Sequence, residues 1–201
     1  MGELINSYLL EKHGVVLSGH FKLTSGKHSN TYINKDSIYC KTDLFELVIR
    51  NMIFEIAMSF NGYEVITGPA IAGAILAAPI ANTIGKTFVY PEKVEDQPLH
   101  GDPSKWWKME FRRGYDKVIK DKRVLIVEDI ITTGSSVEKT IKAIQECDGI
   151  PIGVMAIWNR TGWHKLSIKS LINEKVDSWW PQNNGCPLCI EGVPLQDTKE
   201  I

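Results

Sequence analysis

Apolar residues recur in three rhythms along this chain, and each rhythm predicts a kind of element. Leu4, Ile5, Tyr8 and Leu9 fall at helical spacing and run out at Gly14, predicting a short helix from Glu3 to Lys12. Phe21 and Leu23 alternate with polar neighbours, Ser25-Gly26 interrupts them, and Tyr32-Ile33 begins a second short strand, which together read as a small hairpin-like flap. From Asp43 to Phe60, Leu44, Leu47, Val48, Met52, Ile56 and Met58 predict an amphipathic helix that Asn61-Gly62 ends. Tyr63 to Thr67 reads as a short strand, the alanine-rich run to about Ile84 as a helix, and Lys86 to Tyr90 as another strand. Val94 to Arg113 has no regular rhythm, and a long loop inside a compact domain is usually functional or disordered.

The second half changes rhythm. Val124 to Val127 is an unbroken apolar run, as expected of a strand buried on both faces of a parallel sheet. Glu128 and Asp129 stand where that strand is expected to end. The hydroxyl-rich turn Thr132, Thr133, Gly134, Ser135, Ser136 follows, and then Val137, Ile141 and Ile144 at helical spacing. Ile150 to Asn159 predicts the next strand and Leu166 to Val176 one more short strand or mixed segment. Trp179-Trp180-Pro181 and the C-P-L-C run belong to an irregular tail. One domain over residues 1–201 is expected, with a hood and N-terminal helix over about 1–40, a core over about 41–175 and the tail over about 176–201.

The order strand, carboxylate pair, small turn, helix has a chemical meaning. Open parallel sheets bind ligands at the carboxyl ends of their strands. A Gly/Ser/Thr turn entering a helix offers unpaired N–H groups and a positive dipole end to a phosphate. Two carboxylates just before it can accept hydrogen bonds from vicinal hydroxyls. A ribose 5-phosphate fits this arrangement, with its phosphate on Thr132 to Ser136 and its 2- and 3-hydroxyls on Glu128 and Asp129. The Walker alternative fails, because G-x-x-x-x-G-K-[S/T] is missing. A second glycine-bounded turn, Gly68-Pro69-Ala70-Ile71-Ala72-Gly73, has the same strand–turn–helix setting and forms a second phosphate site. Arg160 follows the Ile150–Asn159 strand and so points to the same edge, where its fork suits a carboxylate.

Composition narrows the class. With 43% hydrophobic and 23% charged residues, the chain is that of a globular protein. Its 23 basic and 24 acidic residues leave a net charge of −1, so nucleic acid and membrane are not expected partners. No signal peptide is evident, because Glu3 and Asn6 interrupt the start. Pro79 and Asn82 break the most apolar stretch, which is too short to span a bilayer. A cytoplasmic location is expected. Of the four cysteines, Cys186 and Cys189 form a C-x-x-C pair that supplies only two of the four ligands a structural zinc takes. No metal is expected there; a reversible Cys186–Cys189 bond and an intersubunit site stay open.

The stretch Val124 to Ser136 closely resembles the signature of type I phosphoribosyltransferases, which bind phosphoribosyl pyrophosphate. The F-x-L-x-S-G-x-x-S-x-x-Y pattern of Phe21, Leu23, Ser25, Gly26, Ser29 and Tyr32 is similar to the base-covering hood of orotate phosphoribosyltransferases. Thr24 stands where many members carry lysine, with Lys27 nearby. The resemblance runs from Gly19 to Leu195 and implies a doubly wound α/β domain with a central, mainly parallel sheet and a small N-terminal hood. It implies transfer of ribose 5-phosphate from phosphoribosyl pyrophosphate to orotate, with Mg2+ held mainly by substrate rather than by direct side-chain ligation. Gly68 to Gly73 becomes the pyrophosphate loop, and Lys93 stands in the place of a phosphate-contacting lysine. His100 and Lys105 are loose candidates in the loop, Arg160 is the base determinant, and Ser25, Lys27 and Tyr32 are hood contacts. A homodimer is the expected assembly. The rivals are transfer to a purine or other base on the same scaffold, and a phosphoribosyl-pyrophosphate-sensing regulator, which should carry a basic face or an added helix-turn-helix.

Overall fold

The computed structural model describes residues 3–23, 25–96, 107–160, 162, 165–182 and 185–198. The chain divides into two compact units, one of residues 1–47 with 174–201 and one of residues 48–173.

In the first unit, α1 (Ser7–Lys12) is capped by the Asn6 side chain, which accepts the Leu9 N–H, so it starts later than its apolar spacing suggests. β1 (Val16–Lys22) and β2 (His28–Ile33) pair antiparallel, with a register shift between Ser18 and Phe21. That irregularity accompanies two consecutive buried side chains, His20 and Phe21, where a regular strand would turn one of them outward. The hairpin is followed by the short α2 (Asp36–Tyr39). The tail is not a free appendage. The Trp179 N–H donates to the His28 carbonyl and the His28 N–H to that of Trp179, and β10 (Gln196–Asp197) pairs parallel with β1 to make the sheet order β10-β1-β2. Between these attachments, α7 (Pro187–Ile190) is one turn beginning at Cys186. Burial, with His20 and Lys22 beside it, holds His28 below the usual imidazole range.

α3 (Thr42–Ser59) leads into the second unit, where Val48, Ile49, Met52 and Ile56 are buried at helical spacing. The central sheet has the order β4-β3-β7-β8-β9, from β3 (Val65–Thr67), β4 (Thr87–Phe88), β7 (Arg123–Ile131), β8 (Ile150–Asn159) and β9 (Ile168–Ile172), and every pairing is parallel. β7 is hydrogen-bonded on both sides and buried on both faces, which explains its unbroken apolar run. Val124 and Ile126 join Val137, Ala143 and Ile144 of α6 (Ser135–Glu146) in the core cluster.

Two connections leave the sheet centre in opposite directions. From β3 the chain passes through α4 (Ala72–Thr83) to β4 on one side; from β7 it passes through α6 to β8 on the other. Crossovers of one hand running opposite ways put their helices on opposite faces, the doubly wound arrangement. They also open a crevice between β3 and β7 at the strands' carboxyl ends, where ligands bind in such sheets.

Local differences from the sequence reading have physical causes. β7 does not stop before the carboxylates but continues through them to Ile131, because Ile130 and Ile131 pair with Trp158 and Asn159 of β8. The irregular stretch is bounded by an antiparallel ribbon, β5 (Glu92–Glu95) with β6 (Trp107–Glu110), and followed by α5 (Tyr115–Ile119). Each ribbon strand is only four residues long and has no apolar run that a sequence pattern could register. Thr24, His100 and Lys105 lie outside the described residues.

Candidate active site

The crevice is built from the ends of β3 and β7. After Thr67, Gly68 begins the turn into α4, and the fit against β7 leaves no room for side chains. A Cβ on Gly68 would lie 2.3 Å from the Gly73 carbonyl and 2.7 Å from the Val127 oxygen; one on Gly73 would lie 2.6 Å from the Val127 oxygen and 2.9 Å from Glu128 Oε2. The Gly68–Gly73 turn thus lies directly against the first carboxylate. Within it the Ala70–Ile71 peptide is cis, and Ile71 is exposed.

Beyond β7, Gly134 takes φ +78°, the left-handed geometry that favours glycine, and caps α6. The Ser135 N–H donates to Thr133 Oγ1, folding the turn on itself at the helix N-terminus. Glu128, Ile130, Ile131, Thr132, Thr133, Gly134, Ser135, Ser136 and Val137 line a shallow pocket open to solvent. One wall offers a buried carboxylate; the other offers hydroxyls and helix-start N–H groups. That combination accepts hydrogen bonds from a sugar and donates them to a phosphate.

The two carboxylates are not equivalent. Both are buried, but only Glu128 lines this pocket; Asp129 accepts the Ile130 N–H on Oδ1 at 2.5 Å. Adjacent residues of an extended strand project to opposite faces, so continuation of β7 through the pair separates them.

Arg160 follows β8, its N–H donating to the Ile131 carbonyl, which fixes the arginine at the same sheet edge as the end of β7. Burial lowers its guanidinium below the ordinary range, though it stays charged. Among the described residues no carboxylate forms an ion pair with it. A half-buried guanidinium of this kind suits a planar anion.

Lys93 lies elsewhere. It is on β5, with Nζ 4.5 Å from the centre of the Trp107 ring, and Lys139 of α6 sits over that ring too while donating to the Trp107 carbonyl. It is not part of the pocket lining. Of the hood candidates, Lys27 lies 5.5 Å from the Trp180 ring centre, its N–H reaching Ser25 Oγ, and Tyr32 packs on Phe21 at 5.7 Å.

Two features escaped the pattern reading. Thr67 Oγ1, at the end of β3, is buried without a hydrogen-bond partner among the described residues. Such an atom is uncommon in a folded protein and calls for a water or a ligand at that point. Its signal in the sequence is slight: a lone hydroxyl closing V-I-T before Gly68. The second feature is the direct seating of Gly73 on Glu128, which depends on β3 and β7 being neighbours although Thr67 and Val124 are 57 positions apart in the chain (124 − 67).

A crevice at a switch point, with a carboxylate wall and two amide-rich turns, defines a protein that handles sugar phosphates. Comparison with known proteins agrees. The family profile described as phosphoribosyl transferase domain matches residues 37–171. The orotate phosphoribosyltransferase of Thermoanaerobacter sp. strain X514 is 35% identical over 192 residues, covering 93% of this chain and 92% of the relative. That of Pelotomaculum thermopropionicum is 32% identical over 189 residues, covering 92% and 91%. The crystal structure of orotate phosphoribosyltransferase from Aeropyrum pernix matches in fold with a TM-score of 0.62 at 21% identity, covering 82% of this chain and 91% of that one. Adenine phosphoribosyltransferase from Trypanosoma brucei, solved with AMP, pyrophosphate and ribose-5-phosphate, matches with a TM-score of 0.61 at 16% identity, covering 85% and 82%. The chain belongs to the phosphoribosyl transferase family, and within it to the orotate phosphoribosyltransferases.

Proposed function

We propose that this chain transfers ribose 5-phosphate from phosphoribosyl pyrophosphate to orotate, giving orotidine 5′-monophosphate and pyrophosphate. The observation that carries the reading is the seating of the Gly68–Gly73 turn on Glu128, beside the pocket that ends at α6. It places two anion-accepting turns about one carboxylate, as a substrate with a phosphate at one end and a diphosphate at the other requires.

In this reading the 5-phosphate takes the N–H groups and hydroxyls of Thr132 to Ser136, and the diphosphate lies along Gly68 to Gly73. Holding both ends of the ribose fixes C1 against the base, and such positioning can contribute up to about 7–11 kcal/mol. As pyrophosphate departs, the ribose gains oxocarbenium character. Glu128 accepts from the ribose hydroxyls and its charge favours the developing cation; Asp129, off the pocket lining, steadies the strand end by accepting the Ile130 N–H. Arg160 pairs with the orotate carboxylate. Orotate enters as an anion, so no strong general base is needed. Lys93 approaches the diphosphate only if it leaves Trp107.

The donor set fits magnesium: the pocket offers the hard carboxylate oxygens of Glu128, and no side chain on Gly73 crowds Oε2. Held mainly by the substrate, with Glu128 as the nearest protein carboxylate, Mg2+ would neutralise the leaving pyrophosphate's charge. Among the described residues no helix is long and apolar enough to cross a membrane. A cytoplasmic homodimer belongs to the same reading.

The adenine enzymes share the fold, so base choice is what the experiment must test. Pyrophosphate release is measured with orotate, adenine, hypoxanthine, guanine and uracil, using the unaltered protein and Arg160→Ala. Orotate alone supports turnover. Arg160→Ala raises the orotate KM by about 10- to 100-fold, the loss of a charged hydrogen-bond pair, and leaves that for phosphoribosyl pyrophosphate nearly unchanged. Turnover with a purine, or equal effects on both KM values, overturns the assignment.

A further inference from the structure

Within the unit of residues 1–47 and 174–201, three segments bring four metal-ligating atoms to one point. They are His20 on β1, His28 at the start of β2, and Cys186 and Cys189 around α7. One atom from each lies within 4.8 Å of all the others. His20 Nε2 is 2.9 Å from His28 Nδ1, 3.5 Å from Cys186 Sγ and 3.7 Å from Cys189 Sγ; His28 Nδ1 is 3.3 Å from Cys189 Sγ. We infer that these residues form a Cys2His2 zinc site that ties the C-terminal tail to the N-terminal hairpin.

The spacing is that of a single tetrahedron. Zinc–nitrogen bonds of about 2.0–2.1 Å and zinc–sulfur bonds of about 2.3 Å give edges of about 3.3 Å between nitrogens, about 3.6 Å between nitrogen and sulfur and about 3.8 Å between sulfurs. Each of these four separations is within about 0.5 Å of its edge, so an ion needs only small shifts of the ligands. A two-iron cluster puts its histidine and cysteine ligands on different irons and needs them farther apart, so a mononuclear ion fits better.

The outer contacts are set for a metal. His20 Nδ1 is 2.8 Å from the Val193 carbonyl, which can only accept, so Nδ1 carries a proton and Nε2 is the nitrogen turned to the cluster. Val193 itself follows the turn that holds both cysteines, and its N–H donates to the Leu188 carbonyl. The thiols are free rather than joined. His20, His28 and Cys186 are buried while Cys189 is exposed, which gives an ion a way in. Binding displaces the two thiol protons to solvent and leaves two thiolates and two neutral imidazoles on Zn2+.

The position explains a need. Among the described residues the tail is held by the short β10 pairing, the His28–Trp179 bridge and a few side-chain hydrogen bonds, such as Ser29 Oγ to the Asp177 carbonyl and Thr198 Oγ1 to the Lys22 carbonyl, modest attachments for a segment with few buried apolar residues. Small units of this kind commonly rely on a metal. Counting cysteines alone misses the site, because its imidazoles lie more than 150 residues upstream (186 − 28 = 158).

The test uses the full chain without a histidine tag, expressed with zinc and purified with thiols reduced. Elemental analysis finds one zinc per chain. Replacement by cobalt(II) gives thiolate charge-transfer and tetrahedral ligand-field bands. Cys189→Ser, at the exposed corner where folding is least at risk, loses the zinc and the charge-transfer intensity. Stripping the metal from the unaltered protein lowers Tm by roughly 5–15 °C, recovered with zinc and not with magnesium. Protein that is metal-free with its thiols reduced, that binds iron instead, or that keeps full zinc after Cys189→Ser overturns the inference. The cobalt spectrum of the unaltered protein decides even if a variant fails to fold.

Discussion

Glu128→Gln lowers turnover by about 10²–10³-fold at saturating orotate and phosphoribosyl pyrophosphate, with little change in Tm. The amide keeps the volume that Gly73 packs against, where a glycine Cβ would come within 2.9 Å of Glu128 Oε2, so the crevice keeps its shape. It loses the negative charge beside a cation that forms only as pyrophosphate leaves, so the loss falls on kcat more than on KM. Asp129→Asn moves turnover in the same direction. Its amide oxygen can still accept the Ile130 N–H, so the local fold survives. Pyrophosphate release and thermal melting on the same samples check both variants. Normal turnover in Glu128→Gln removes the ribose grip on which the proposed reaction stands, whereas normal turnover in Asp129→Asn alone confines that grip to the pocket side of β7.

Gly68→Ala raises the KM for phosphoribosyl pyrophosphate at least about 10-fold and destabilises the fold by about 1–3 kcal/mol. The new methyl would lie 2.3 Å from the Gly73 carbonyl carbon and oxygen and 2.7 Å from the Val127 oxygen. All three are backbone atoms, so no side chain can swing away, and the turn must lift off β7 and take its N–H groups with it. Gly85→Ala is the control. Gly85 has open space around it but φ +64°, so alanine there costs stability through backbone strain while leaving the KM unchanged. Steady-state kinetics beside thermal melts separate the two. An unchanged KM in Gly68→Ala means the turn does not hold the diphosphate.

These expectations rest on different kinds of information. β8 was legible to the residue, Ile150–Asn159, because a long apolar strand is bounded by charge at Arg160. The helix after Gly134 was legible because apolar spacing and the small turn sit side by side in the chain. The end of β7 was not, since two carboxylates look like a stop until β8 offers partners to Ile130 and Ile131. The β5–β6 ribbon was not, since its strands are four residues long and carry Lys93 and Lys108 among their members.

By itself the sequence determined the local elements, the acidic pair with its phosphate-binding turn, and the resemblance that names the chemistry. These are properties of residues a few positions apart, where helical or strand spacing leaves a record. Tertiary structure alone decided that β3 and β7 are neighbours, that Gly73 seats on Glu128 while Asp129 does not line the pocket, and that His20 and His28 meet Cys186 and Cys189. Strand order and the return of the tail to β1 set those meetings, and they depend on which distant surfaces bury one another, a choice that no local pattern of residues carries.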